Sequence, residues 1–277
     1  MLLCAIMRQR SNGMDFDLDP GWSLEPVGGT TGGAYLGVHA HEKYFLKRNA
    51  SPFLAALSVT GITPKLIWTK RISTGDVLTA QEWLNGQTLT RAQMNSPRVA
   101  QLLAKVHESA LLRRMLVKVN GVVMTAAMVR ERTLLRLPAE LRNHALVQTA
   151  IAALAVAPAA PSRLTVLHGD LNHKNWLLSD TDRLYLVDWD QAALGDRAFD
   201  LASVLVPYVP TAEWGTWLAA YGLPPDADLA ARLRWYGVVN LLGELARTYH
   251  AQRYTEMNQY LLALQGLLER PLDTFNA

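Results

Sequence analysis

Over residues 24–84 the apolar positions come in short, mostly alternating runs (AYLGVHA, KYFLKRN, PKLIWTKRI, DVLTAQEWL) bounded by Gly, Asn, Pro and Asp. A period near two in runs this short predicts strands, and their succession predicts a small antiparallel sheet. One short helix is predicted to interrupt it at residues 52–59. Beyond Gly86 the period lengthens. Val99, Leu102, Leu103, Val106 and Leu111 recur at helical spacing behind Asn95-Ser96-Pro97, which supplies a cap and a first-turn proline. A second helical stretch is predicted over about 124–156, ending in a loop at 157–162, and three more helical patterns fill 201–268. The expected architecture is α+β and two-lobed, with a β-rich lobe over 14–84 and a helical lobe over 85–277. The expected hinge is Leu84-Asn85-Gly86, where composition switches and glycine relaxes the backbone.

Composition narrows the class. Half of the 277 residues are apolar, and no stretch approaches the roughly 20 consecutive apolar residues that cross a bilayer. The single cysteine, Cys4, excludes an intrachain disulfide and a thiolate zinc site and suits a reducing compartment. The opening MLLCAIMRQRSNG places its positive charges after its apolar run, the reverse of a secretory signal. Residues 1–13 are therefore read as a leader or alternative start, and a cytoplasmic location is expected. The net charge of +3 hides an asymmetry, with nine basic and three acidic residues over 98–142 against nine basic and fourteen acidic over 163–277. The basic segment is either a solvated helix face or a surface for an anionic partner. It lacks aromatic interleaving and any basic run of five, which argues against nucleic acid.

The densest chemistry lies in TVLHGDLNHKNWLLSDTDRLYLVDWD, residues 165–190. His168-Gly-Asp170 followed by Asn175 has the H-x-D-x4-N spacing of a kinase catalytic loop. Strands at 176–178 and 184–187 around Ser179-Asp-Thr-Asp182 predict a hairpin that sets Asn175 across from Asp188. The plain alternative is that Asp170, Asn175 and Asp182 are turn residues, which leaves that register unexplained. In phosphoryl transfer negative charge spreads over the transferring group, so hard oxygen ligands such as Asn175 and Asp188 are needed to hold magnesium. Asp170 would orient the acceptor hydroxyl and take its proton. In the β-rich lobe, Val27-Gly-Gly-Thr-Thr-Gly-Gly-Ala-Tyr35 lies between strands and lacks the Gly-Lys-Ser/Thr of a Walker loop. It is either a plain hairpin or a flap whose amides cover phosphates. Lys47, on a following strand, either faces solvent or points inward to meet an anion.

The segments LHGDLNHKNWLL and LVDWDQAALGDRAFDLASVL, with the glycine flap, Lys47 and AQEWLNG in the same order, resemble the protein-kinase-like phosphotransferases. That family includes aminoglycoside phosphotransferases and choline, ethanolamine and thiamine kinases, and the resemblance runs from Trp22 over nearly the whole remaining chain. It implies ATP and Mg2+ as cofactors and a small-molecule hydroxyl as substrate, of the amino alcohol, sugar or nucleoside type. By position it implies Gly29, Thr30, Thr31, Gly32 and Gly33 over the phosphates, Lys47 on the α and β phosphates, and backbone groups of Glu82, Trp83 and Leu84 facing adenine. Asp170 becomes the catalytic carboxylate, and Asn175 and Asp188 the metal ligands. Asp200 becomes a buried brace of the catalytic loop, a position that equally suits an acid favoured by a helix dipole, and His168 is structural. Asp190 and His173, beside the site with Trp189 and Asp196, either suit a polar, cationic or sugar-like acceptor or are structural. The stretches SPFLAAL, ITPKLIWTKR and AQEWLNGQTLT are also similar to the CcrZ group of bacterial cell-cycle regulators. That similarity implies an alternative, a nucleotide-binding regulator with an FtsZ-like partner in the division machinery. One departure stands out: no acidic residue lies between Lys47 and Gly75, so the usual helical glutamate partner of the strand lysine is missing.

Overall fold

Alternation along the first strands builds an antiparallel sheet in the order β1-β2-β3-β5-β4, with β1 at Ser23–Pro26, β2 at Ala34–His39, β3 at Glu42–Arg48, β4 at Leu66–Arg71 and β5 at Val77–Glu82. The computed structural model describes residues 16–27, 33–224 and 226–270. Tyr35, Leu46, Leu78 and Ala80 from the sheet pack with Phe16 and Ile72 into a small core. β2 and β3 are joined by Ala40 and His41, both left-handed (φ 49° and 68°). This two-residue turn matches the twist of the flanking strands. Lys47 is central in the sheet, paired with Ala34 on β2 and Thr79 on β5, and half-buried. This sheet is one of two units, formed by the chain up to Ser51 together with Pro64–Trp83.

The second unit comprises Pro52–Thr63 and the chain from Leu84 onward. Its first helix, α1 at Leu54–Val59, belongs here although strands of the other unit flank it in sequence. The turn that follows α1 is tied to this unit, where Lys105 Nζ donates to Thr60 O (2.7 Å) and Leu186 N to Ile62 O (2.9 Å). Strand β6 (Gly86–Thr88) then leads to helices α2 (Pro97–Glu108) and α3 (Ala110–Lys118), strand β7 (Val122–Met124), and helices α4 (Ala126–Arg136), α5 (Ala139–Arg142) and α6 (Ala145–Ala153). Strands β8 (Thr165–Leu167), β9 (Trp176–Ser179), β10 (Leu184–Leu186) and β11 (Ala193–Gly195) precede α7 (Arg197–Tyr208), α8 (Trp214–Tyr221), α9 (Ala227–His250) and α10 (Tyr254–Glu269). The strands form two three-stranded sheets, β10-β9-β6 and β7-β11-β8. Their apolar faces join a large helical core that includes Phe53, Leu103, Leu167, Trp176, Leu201 and Leu242. No helix among the described residues is long and apolar enough to cross a membrane.

Several expectations are corrected by local chemistry. The helix opened by Ser96, whose side chain accepts from Arg98 N at 3.2 Å, stops at Glu108. Ser109 then caps α3, so Leu111 belongs to a new helix. The stretch expected as one helix over 124–156 is three, with Met124 in a strand. Extended backbone at Leu137 and Pro138 ends α4 and starts α5, as a proline disfavours helical geometry in the residue before it. The three helical patterns over 201–268 are four helices, because Gly222 adopts a left-handed C-cap (φ 94°) after α8. Gly86 lies in β6, where a β-carbon would sit 2.3 Å from Leu178 O. Close approach of β6 to β9 is what demands glycine at this position.

Candidate active site

The His168–Asp170 loop leaves β8 at the centre of the second unit and is fastened from below. Asp200, in the first turn of α7, is fully buried and accepts from His168 N (2.8 Å) and Gly169 N (3.1 Å). A third partner is His107 on α2, whose Nε2 lies 3.1 Å from Asp200 Oδ2. Because a carboxylate only accepts, Nε2 carries the proton and Nδ1 is left to accept from Tyr221 OH at 2.7 Å. Burial raises the Tyr221 pKa far above its ordinary value, which keeps that hydroxyl a donor. Gly169 makes the turn possible: its φ is +83°, and a β-carbon there would meet Gln191 O at 2.6 Å. His107 was not among the residues singled out from the sequence. The available signal was a histidine on the buried face of α2 beside Val99, Leu103 and Val106, which has to find polar partners in the core.

His168 binds this loop to the hairpin. Its pKa is pushed below the ordinary imidazole value, first by burial, against the opposing charge of Asp200. The neutral ring satisfies both bonds it makes, accepting from Asp170 N at Nδ1 (3.2 Å) and donating from Nε2 to Val187 O (2.9 Å). Trp189 stacks edge-on to it at 4.7 Å and donates its indole N–H to Leu186 O. The hairpin register differs by one from expectation. Leu184 pairs with Leu178 and Leu186 with Trp176, and Val187 N donates to Asn175 O (2.9 Å), so Val187 rather than Asp188 faces Asn175. The reason is the loop: Asp182 N donates to Ser179 O and Ser179 N to Arg183 O, with Asp182 left-handed (φ 59°), giving a three-residue connection.

Asn175 and Asp188 nevertheless flank the same point of the ladder. Asn175 Nδ2 donates to Asp170 O (2.9 Å), which leaves its Oδ1 as the atom to present to a cation. Asp188 is exposed and left-handed at φ 63°, a conformation costing a non-glycine residue about 1–2 kcal/mol. These donors are hard oxygens. Among the described residues no group of three or more His, Cys, Asp or Glu could hold a metal alone. The set therefore fits an ion that keeps water or ligand oxygens, as Mg2+ does.

Asp170 lines a cavity of about 550 Å³ within this unit. Its walls come from α4 (Val129, Arg132, Thr133, Arg136), α7 (Phe199, Ala202, Ser203, Val206) and α9 (Asn240, Gly243, Glu244, Arg247), with Tyr208 and Tyr260 adding aromatic surface. Of these cavity residues the sequence assigns chemistry to Asp170 alone, while Arg132 and Arg136 fall in the basic segment 98–142 expected as a solvated helix face or a surface for an anionic partner. His173 is engaged by Tyr208, whose hydroxyl lies 3.3 Å from its backbone N and 3.4 Å from Nδ1. Burial, then the charges of Arg91 and Lys174, lower its pKa. Asp190 is exposed and lines a neighbouring groove of about 620 Å³ with Met128, Leu135, Arg132 and Arg136. Asp196 is buried, caps α7 through Ala198 N (3.0 Å) and pairs with Arg232 (2.8 Å). Its roles, like the stacking of Trp189, are structural.

In the first unit Lys47 O accepts from Thr79 Oγ1 at 3.1 Å. The amides of Glu82 and Trp83 donate to Lys65 O (2.9 Å) and Lys43 O (3.3 Å). Any contact from 82–83 to a ligand would therefore use carbonyls or require those bonds to open. Of the expected flap, Gly33 is described, while Gly29, Thr30, Thr31 and Gly32 lie outside the described residues.

A family model described as the phosphotransferase enzyme family matches residues 34–236, spanning both the central sheet and the His168–Asp188 constellation. The chain belongs to that family. Solved structures share the fold of this phosphotransferase. The choline kinase LicA from Streptococcus pneumoniae superposes with a TM-score of 0.62 at 18% identity, covering 89% of this chain and 95% of that one. Macrolide 2'-phosphotransferase MphH from Brachybacterium faecium gives 0.59 at 21% identity, covering 92% and 94%. Aminoglycoside 2'-phosphotransferase-IIIa in its GDP complex gives 0.60 at 15% identity, covering 91% and 94%. LicA has also been solved with AMP. At these identities the likeness is one of fold, the protein-kinase-like arrangement of a β-sheet region and a helical region.

Proposed function

We propose that this phosphotransferase moves the γ-phosphoryl group of ATP to a hydroxyl of a small molecule. The observation that carries the reading is Asp170, a half-buried carboxylate at the wall of an acceptor-sized cavity, on a loop whose backbone is held by Asp200 and His168. The acceptor oxygen attacks the γ-phosphorus, the bond to the β-phosphate oxygen breaks, ADP leaves, and the hydroxyl proton passes to Asp170. A magnesium ion held by Asn175 Oδ1, Asp188, phosphate and water would neutralise charge on the phosphates. Lys47 is assigned to the α and β phosphates, and the 82–84 backbone with the glycine segment to the rest of the nucleotide. AMP and GDP in the related solved structures support a nucleotide as donor.

The test is ADP formation from Mg-ATP across a panel of amino alcohols, sugars, nucleosides and their phosphorylated or carboxylated forms. The reading expects at least one acceptor to raise the rate tenfold or more over the acceptor-free rate. No acceleration by any class, together with no ATP binding by calorimetry, would contradict it. Asp188→Ala is expected to abolish magnesium-dependent ATP binding in the same calorimeter while the protein stays folded.

A further inference from the structure

The cavity beside Asp170 has a charge distribution that bears on what enters it. Val129, Arg132, Thr133 and Arg136 follow one another at i, i+3, i+4 and i+7 on α4 and so share the face that lines the cavity. Val129 and Thr133 are buried at the floor, and the two arginines stand at the rim, where they also border the groove containing Asp190. Across the cavity, the α9 acid Glu244 is engaged by Arg247 through two bonds (2.9 and 2.6 Å), and Arg247 reaches Glu256 as well (3.2 Å). That wall pairs its guanidinium.

The arginine wall does not. Among the described residues neither Arg132 nor Arg136 takes part in an ion pair, and the polar contact of Arg132 is a weak one to Met124 Sδ at 3.8 Å. Burial, and then the like charge of Arg136, pull the Arg132 pKa below its ordinary value, as expected for a guanidinium that is partly desolvated without a counter-charge. Two guanidiniums one helical turn apart repel unless an anion lies between them, and their planar forks match carboxylate and phosphate oxygens. Resting on the phosphotransferase reading above, we infer that the acceptor carries an anionic group, phosphate or carboxylate, gripped by Arg132 and Arg136 while its hydroxyl is presented to Asp170. Of the polar, cationic or sugar-like acceptors that the sequence leaves open, this disfavours the cationic one; Asp190 lines the adjoining groove, whose walls also include the same two arginines.

Four probes on one sugar scaffold separate the possibilities: glucose 6-phosphate, glucuronate, glucose and glucosamine. Each is titrated calorimetrically into the full-length protein held with magnesium and a saturating non-hydrolysable ATP analogue, so that the nucleotide phosphate positions are filled. At least one anionic probe is expected to bind tenfold or more tightly than glucose and glucosamine. R132Q/R136Q should reduce it to the level of glucose, and R132K/R136K should retain part of the advantage. The two anionic arms tell phosphate from carboxylate. The inference is overturned if glucosamine or glucose binds as well as the anions, if neither anion binds, or if the folded R132Q/R136Q variant binds them as wild type does. Binding of the ATP analogue is measured first and reports on the phosphotransferase reading by itself, so a failure there is visible separately.

Discussion

Asp200 and Asp170 are the same chemical group thirty residues apart, and their surroundings assign them opposite work. Asp200 is fully buried and accepts from two consecutive backbone amides and a histidine ring, so its charge is spent on holding a shape. Asp170 is half-buried and lines a cavity, with its backbone fixed by His168 and Asn175 and its carboxylate left for chemistry. Beneath the loop the carboxylate of Asp200 is buried and hydrogen-bonded, and the region above it is open and unevenly charged. The contrast shows how one loop can be rigid and reactive at once: rigidity comes from the buried carboxylate, reactivity from the partly exposed one.

Removing the brace should have the largest effect. Asp200→Ala strands two buried N–H groups and the His107 ring, which is expected to cost about 3–5 kcal/mol, read as a fall in the urea midpoint with an unchanged slope. A loss below about 1 kcal/mol would mean that water or the backbone replaces the carboxylate. One bond further out, Tyr221→Phe removes the hydroxyl on His107 Nδ1 and should cost about 1 kcal/mol by the same measurement.

Acid should act on the same region with a definite sign. The unfolded chain protonates His168 near its ordinary value of about 6.5, whereas the folded value is depressed. Below that pH the unfolded state binds more protons, so unfolding free energy falls as pH drops from 7 to 5, by at most about 1.4 kcal/mol per pH unit from this residue. Chemical denaturation of wild type beside His168→Asn checks it. The variant should show the shallower pH slope, and equal slopes would remove His168 as the source. The smallest effect is expected from Arg113→Glu/Arg114→Glu on the exposed face of α3. Stability should change by under about 0.5 kcal/mol, and binding of glucose 6-phosphate should stay unchanged, in contrast to R132Q/R136Q.

The chain announced some of this and hid the rest for physical reasons. The change of period from two to nearly four marks where strands give way to helices, and the family resemblance is carried by contiguous motifs around His168 and Asp188. The hairpin register differs by one because turn-forming residues at 179–182 do not by themselves fix the loop length; the three-residue loop with left-handed Asp182 does, and only the ladder shows Val187 opposite Asn175. The strand Val122–Met124 was invisible locally because its partner, β11, lies about seventy residues further on. His107 carries no local mark in the sequence, and the arginines of α4 show there only as part of the basic segment 98–142, a solvated helix face or a surface for an anionic partner. What makes them matter is their neighbours across the fold: Asp200 for His107, and the cavity wall for Arg132 and Arg136.

The most direct test of the central claim is the turnover of Asp170→Asn with the best acceptor from the panel, measured beside its ATP affinity and melting temperature. The account predicts turnover lower by roughly 10² to 10⁴-fold, with ATP affinity and melting temperature close to wild type. Turnover within a factor of two of wild type would contradict it, since the carboxylate in the cavity would then take no part in the reaction.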